Sequence, residues 1–479
     1  MHKPLAIGLA CFLMSCAMGP DYERPKADVA ETFRMAEAPS DIPSIANLAW
    51  WELLGDEPLQ QLVRIALEEN KDLQRAAATV DEFQARALIA RSDFLPGLSV
   101  SANAPSFGRR TIFLVPGFAN PFNYYLQGAL SWEIDIWGRI RRSNEAARAD
   151  LFSKEENRRA VVLQLVSGVA ESYFNLLQFE AQRDIAKRTL QSWEESVRIA
   201  KARLKQGMTS RLDTDQFEAE RANAAARMAE LERQMVQAEN QLSVLLGRKP
   251  FSIPRGRPLT DQAMPLAVPA GLPSELLQRR PDLLQAEQEL AAATARIGAA
   301  KAERFPKISI TGILGFASPQ LSQLFTDNRA FFGVAGAGVA APLLNSQALG
   351  FQQEAIEAQA KQAVAQYEQT ILTAFREVED SLVAVRTARA QNEAQQAQVN
   401  ALQSALHLAE LRYKGGLANY LDVLVSRRNL FEAELAMTSS RRLHLVSVVQ
   451  LYKALGGGWS PTPASGAVTI SPRPEQSSK

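Results

Sequence analysis

The stretch "YYLQGALSWEIDIW", residues 124–137, decides the fold. Tyr124, Leu126, Leu130, Trp132, Ile134 and Ile136 fall on one face of an extended chain, and Gln127, Ser131, Glu133 and Asp135 fall on the other. Successive side chains of a strand point to opposite faces, so this alternation predicts a strand with one apolar side. Three further stretches behave alike. "GLSVSANA" (97–104) alternates Leu98, Val100 and Ala102 with Ser99, Ser101 and Asn103. "KISITGILGFAS" (307–318) alternates Ile308, Ile310, Leu314 and Phe316 with Lys307, Ser309 and Thr311, and "FFGVAGAGVAAPLL" (331–344) is a weaker, glycine-rich version. Strands of roughly 9–11 residues with one apolar side have the dimensions of membrane-barrel strands. A half-buried sheet in a soluble domain has the same periodicity.

Four strands cannot close a membrane barrel, and an open edge would leave unpaired N–H and C=O groups in hydrocarbon. If these strands span a bilayer, several chains must share one barrel, and three chains of four strands give twelve. No apolar run in the mature chain reads as a membrane-spanning helix, so anchoring falls to the shared barrel or to lipid.

Outward from the strands, the chain is written twice. "AKARLKQGMTSRLDTDQFEAER" (200–221) matches "AELRYKGGLANYLDVLVSRRNL" (409–430) at an offset of 209, aligning Ala200, Arg203, Lys205, Gly207, Leu212 and Asp213 with Ala409, Arg412, Lys414, Gly416, Leu421 and Asp422. The same offset brings Leu246-Gly247 onto Leu455-Gly456, and an offset of 210 brings Asp72, Pro96 and Ser99 onto Asp282, Pro306 and Ser309. Each half predicts a helical stretch (about 58–95, then 281–305), two strands and two very long helices. No glycine or proline occurs between Gly350 and Gly415, a stretch that could reach about 95 Å at 1.5 Å per residue. Gly207 and Gly415-Gly416 then read as turns of antiparallel helical hairpins.

Composition bounds the chemistry. The 53 basic and 52 acidic residues balance, giving no footprint for nucleic acid. Three histidines and two cysteines, Cys11 and Cys16, argue against a His/Cys metal centre or a histidine-based catalytic apparatus. No cofactor, metal site or enzymatic activity is expected. His2 and Lys3 precede a short apolar run ending in Leu13-Met14-Ser15-Cys16. This resembles a lipoprotein signal, cut before Cys16 so that Cys16 is acylated, with Ala17 fitting outer-membrane sorting.

Taken together, "CAMGPDYERP", "WWELLGDEPLQQLVRIALEENKDLQRA", "LSWEIDIWGRIRR", "LPSELLQRRPDLLQAEQELAAATARIGAAKAERFPKISITG" and "LYKALGGGW" resemble the outer membrane factors: TolC-like efflux lipoproteins working with resistance–nodulation–division pumps. The likeness runs from Cys16 to about Trp459. It implies a mainly α protein with a membrane β-barrel, in which a homotrimer forms a twelve-stranded barrel continuous with a periplasmic α-helical barrel. The implied partners are a periplasmic adaptor, the inner-membrane transporter and outer-membrane lipid. The expected segments are a signal peptide (1–15), a lipidated extended segment (16–49), a first repeat (50–247), a belt linker (248–273), a second repeat (274–459) and a disordered tail (460–479). The competing reading is a lipid-anchored periplasmic coiled-coil scaffold or adaptor.

The resemblance also places residues. Asp422 falls at a constriction aspartate and Leu421 at an apolar plug of the periplasmic gate, although Val425 stands where relatives carry a second acid. Asp213 and Tyr413 match positions that tether the hairpins, while Ala418 replaces an assisting arginine. A helix N-cap role serves equally for Asp213, and also for Asp422. Arg203 and Arg412 are accounted for by the favourable placement of cations at helix C-termini. Trp132, Trp137, Tyr124 and Tyr125 suit an interfacial girdle. One corner departs from the family: Asn345 stands where an aspartate equivalent to Asp135 is expected, without a following arginine.

Overall fold

The computed structural model of the protein describes residues 17–26, 32–35, 45–50, 55–104, 124–262, 273–417 and 420–457. Cys16, the signal peptide, Ala418 and the tail lie outside the described residues. The chain runs through helices α1 (Glu57–Glu69) and α2 (Lys71–Ser92), strands β1 (Gly97–Asn103) and β2 (Tyr124–Ile134), and helices α3 (Arg139–Lys205) and α4 (Arg211–Leu245). Then come α5 (Pro273–Arg279), α6 (Pro281–Ala302), β3 (Lys307–Ser318), β4 (Phe331–Ala340), α7 (Ser346–Lys414) and α8 (Tyr420–Ala454).

The duplication holds at the level of element ends. Adding 209 to the bounds of α4 gives those of α8, and adding 210 to those of α2 gives those of α6. Several predicted spans end a few residues early, and two breaks have clear local causes. The helical stretch over 58–95 divides at Asn70, whose side chain accepts from the Leu73 N–H (2.9 Å) to cap α2 and donates to the Leu245 carbonyl (2.8 Å). In the second half Arg280 donates to the equivalent Ala454 carbonyl (3.1 Å). The fourth strand ends at Ala340 rather than 344, because Pro342 has no N–H to give a ladder.

Contacts divide the chain into two units that each take segments from both repeats: 1–27, 77–156 and 285–369 in the first; 28–76, 157–284 and 370–479 in the second. The first unit holds a four-stranded antiparallel sheet in the order β1-β2-β3-β4. Its register pairs Leu98 with Leu130, Trp132 with Ile310, Phe316 with Phe331 and Ile308 with Val339. The apolar sets read from the sequence therefore share one face, and Leu98, Val339 and Phe331 on it remain exposed at 75%, 69% and 54%.

The β2–α3 corner is heavily tied. Asp135 accepts from the N–H groups of Ile140 (3.1 Å) and Arg141 (2.8 Å), capping α3 and ending β2. Arg139 forms a bidentate pair with Glu133 at 2.9 Å. At the β4–α7 corner, where Asn345 stands, the Ser346 hydroxyl donates to the Leu343 carbonyl (3.2 Å) and the Leu349 N–H to the Asn345 carbonyl (3.1 Å). The segment 17–26 straps this unit: Met18 N–H donates to the Trp137 carbonyl (3.1 Å), buried Arg142 pairs with Asp21 (2.6 Å), and Arg24 grips Glu287. Gly138 has φ +78°, and a Cβ there would lie 2.9 Å from Ala17.

In the second unit α1, α3, α4 and α8 share a core built on Leu62, Val63, Val169, Tyr173, Leu242 and Val449. Here one expectation is corrected. α3 contains an 18-residue window of mean hydropathy 1.4, apolar and long enough to cross a membrane, but 56% of it is buried within the protein. Its apolar residues are accounted for by this core. Buried Asp56 accepts from the Tyr173 hydroxyl and Gln262 Nε2 (both 2.9 Å), and the Gly256 N–H donates to the Tyr173 oxygen (2.8 Å), pinning the linker to α3.

Candidate functional site

The two hairpin turns close with the same pair of backbone bonds. In the first, the Gly207 N–H donates to the Leu204 carbonyl (3.0 Å) and the Met208 N–H to the Arg203 carbonyl (2.9 Å). In the second, the Gly416 N–H donates to the Tyr413 carbonyl (3.0 Å) and the Leu417 N–H to the Arg412 carbonyl (2.8 Å). These are Schellman closures. Gly207 and Gly416 sit at φ +69° and +71° with open space around them, so glycine is required by backbone conformation alone, whereas Gly415 precedes the left-handed position.

Beyond the first turn, Ser210 caps α4 and Asp213 closes a reciprocal box. The Asp213 N–H donates to Ser210 Oγ (3.1 Å), and Asp213 Oδ2 accepts from the Ser210 N–H (3.2 Å) and the Thr209 hydroxyl (3.0 Å). These bonds, led by those from Ser210, hold its carboxyl below the usual carboxylate value. The N-cap reading of Asp213 is corrected: Ser210 is the N-cap, and Asp213, the third helical residue, closes the capping box on it. At the matching place on α8, Asp422 lies in the first turn, exposed, beside half-exposed Leu421.

Asp213 and Tyr413 line the same cleft without bonding to each other. The partner of the Tyr413 hydroxyl is Arg203, which donates through Nη1 and holds its guanidinium 5.6 Å above the Tyr413 ring. From there an aromatic ladder crosses the hairpins. Tyr413 meets Tyr420 edge-on at 5.0 Å, Tyr420 meets Phe217 at 4.2 Å, and Phe217 meets Trp193 at 6.2 Å. Arg427 covers Trp193 at 5.1 Å and bonds Glu410 (2.7 Å) and Ser196 (2.9 Å). α3, α4, α7 and α8 are all joined by this ladder. Burial is the main cause that pushes the Tyr420 phenol up to about 12.

Sequence reasoning missed Arg203, Trp193, Phe217, Tyr420 and Arg427. Their signal lies where the repeat departs from itself. Tyr413, Tyr420 and Arg427 stand opposite Leu204, Arg211 and Glu218 in the first half. The hairpin ion pairs are reversed in sign as well: Lys201–Glu218 (2.6 Å) in the first becomes Glu410–Arg427 (2.7 Å) in the second. Among the described residues no His, Cys, Asp and Glu cluster could hold a metal ion.

A duplicated chain of long helical hairpins bearing a four-stranded sheet, apolar on one face, is an outer-membrane channel protein. A sequence profile described as "outer membrane efflux protein" matches residues 62–248 and 272–457, and the chain belongs to that family. It is 36% identical over 472 residues to the probable efflux pump outer membrane protein TtgC of Pseudomonas putida, covering 95% of each chain. It is 33% identical over 464 residues to the cation efflux system protein CusC of Escherichia coli, covering 95% of this chain and 98% of the relative. The open-state structure of the MtrE outer membrane channel of Neisseria gonorrhoeae superposes with a TM-score of 0.83 at 33% identity, over 92% of this chain and 98% of that one.

Proposed function

We propose that this chain is the passive outer-membrane exit duct of a tripartite efflux system, carrying drugs or other small molecules from the periplasm to the exterior. The observation that carries the reading is the sheet: one continuous apolar face, with the outer edges of β1 and β4 unpaired among the described residues of the single chain. In lipid those edges need partners, and three copies supply a closed twelve-stranded barrel. Strand directions support this closure, because an alternating four-strand meander presents β1 and a neighbour's β4 in antiparallel sense.

Lipidation at Cys16 fits the strap. Ala17, the next residue, packs at Gly138, where the strand face ends and α3 begins, so acyl chains would enter the bilayer beside the barrel. Trp132 and Trp137 form an aromatic girdle toward this end of β2, and Tyr124 and Tyr125, at the strand's other end, form one at the opposite interface. A periplasmic adaptor docks on the hairpins, and an inner-membrane resistance–nodulation–division transporter supplies energy and selects cargo. Leu421 and Asp422 form the gate, a threefold carboxylate ring whose mutual repulsion is relieved by opening, protonation or a cation. The restraint that holds the hairpins together is Arg203–Tyr413, with Asp213 stiffening the first turn through its capping box with Ser210.

The test is the full chain with its leader, expressed in a Gram-negative host. The expected result is a heat-modifiable trimer in the outer-membrane fraction, labelled with palmitate at Cys16, that conducts ions in planar bilayers. A soluble monomer after removal of the lipid would overturn the proposal.

A further inference from the structure

Between the two hairpins lies a cleft of about 360 Å³, within the range of about 300–1,000 Å³ typical of small-molecule sites. Its walls include the rings of Phe217, Tyr413 and Tyr420, and Arg203 and Lys414 also line it. The charges of these groups are unequally committed. Glu410 is paired with Arg427, Glu195 with Arg198, and Asp213 with the backbone and hydroxyls of its cap. Arg203 spends one nitrogen on the Tyr413 hydroxyl, a neutral partner. Neither Arg203 nor Lys414 forms an ion pair with any carboxylate among the described residues, whereas every acid on the cleft wall is engaged.

We propose that this cleft binds a planar aromatic carboxylate. A guanidinium offers paired N–H donors matching a carboxylate edge, and an ammonium adds a second positive charge. Phe217, Tyr413 and Tyr420 line the cleft and supply aromatic surface against which a flat ligand packs. An aromatic cation of the same size would meet Arg203, Lys414 and Arg427 without a free carboxylate to receive it. Because the walls come from both hairpins, a bound ligand ties α3 and α4 to α7 and α8. The closing consequence rests on the channel reading given above; the binding itself does not.

The test is isothermal titration of the full-length, detergent-solubilised protein with 2-naphthoate, and with 2-naphthylmethylammonium as the cationic counterpart. The wild type is expected to bind the anion and not the cation. Arg203→Gln and Lys414→Gln should each weaken binding by about tenfold, the scale of one charge-assisted bond. Arg428→Gln, on an exposed position outside the cleft, should leave it unchanged. Absence of binding at millimolar naphthoate, equal affinity in Arg203→Gln, or equal binding of the cation would overturn the site. In planar bilayers naphthoate should lower conductance of the wild type and not of Arg203→Gln. Binding with unaltered conductance would leave the site standing and sink its closing role.

Discussion

Arg427 is the side chain whose removal reports most directly on how the hairpins are held. It comes from α8, bonds Glu410 on α7 and Ser196 on α3, and covers Trp193 on α3. Arg427→Met keeps the apolar stem against Trp193 while removing the charge. A hydrogen bond to a charged group contributes roughly 1.5–3 kcal/mol, and a cation–π contact roughly 1 kcal/mol at partial burial. The Glu410 side chain is 34% exposed, so water replaces part of what it loses and the larger sums do not apply. The net expectation is about 2–4 kcal/mol lost from the local opening free energy of this region. At about 1.4 kcal/mol per tenfold, amide exchange should accelerate by roughly 30- to 1,000-fold. Hydrogen–deuterium exchange by mass spectrometry should find that acceleration in peptides spanning 190–205 and 405–430. Peptides around Tyr173, whose core does not include Arg427, should keep wild-type protection. Exchange within about threefold of wild type at the turns, or equal acceleration around Tyr173, would refute the reasoning. Glu410→Gln, combined in a double-mutant cycle, should show coupling of about 1 kcal/mol with Arg427→Met.

Two further outcomes follow from single positions. A Cβ at Gly298 would lie 2.4 Å from the Met18 carbonyl oxygen and 2.8 Å from Arg142 Cγ, so Gly298→Ala should lift the 17–26 strap and speed exchange of the Met18 amide. Gly168→Ala, a helical site with open space, is the control and should stabilise by about 1 kcal/mol; equal exchange at Met18 in both variants would show that the strap does not bear on α6. The Asp213 carboxyl titrates below its ordinary value of 3.8 in the folded chain. Its contribution to the first turn is therefore complete above that value and is lost as pH falls through the lower, folded one. A carbon-detected NMR titration placing Asp213 at or above 3.8 would remove this cap from the account.

The ends of elements were legible because they depend on local chemistry repeated twice. α4 and α8 begin and end 209 residues apart because both follow a Schellman glycine and both end before a second left-handed glycine, Gly247 and Gly456. Period-2 patterning placed all four strands, since a one-residue slip would exchange the faces. The break at Asn70 was written in the sequence too, as a cap residue ahead of a helical run, but good helix formers on both sides mask it when only periodicity is read. What could not be read was pairing across hairpins. Arg203 sits where a helix end already explains a cation, and only the position of Tyr413 on another helix turns it into a clasp.

The same limit explains why the exact repeat hid the site. A duplicated chain gives each hairpin the same turn, so nothing in the shared pattern says which hairpin meets which. The departures from the pattern carry that information. Lys201–Glu218 and Glu410–Arg427 occupy matching positions with reversed charge. Arg427 satisfies its own hairpin through Glu410 and reaches the other through Ser196 and Trp193; Glu218 in the equivalent place has Lys201 as its ion-pair partner, within its own hairpin. Reversal makes the two hairpins chemically distinct where their backbones are alike: pairing the second hairpin with a copy of itself would set Arg427 against Ala405 and Leu402, which stand at the places of Ser196 and Trp193, and leave Trp193 uncovered. Charge asymmetry between otherwise equal repeats thus does what sequence periodicity cannot: it selects the neighbour.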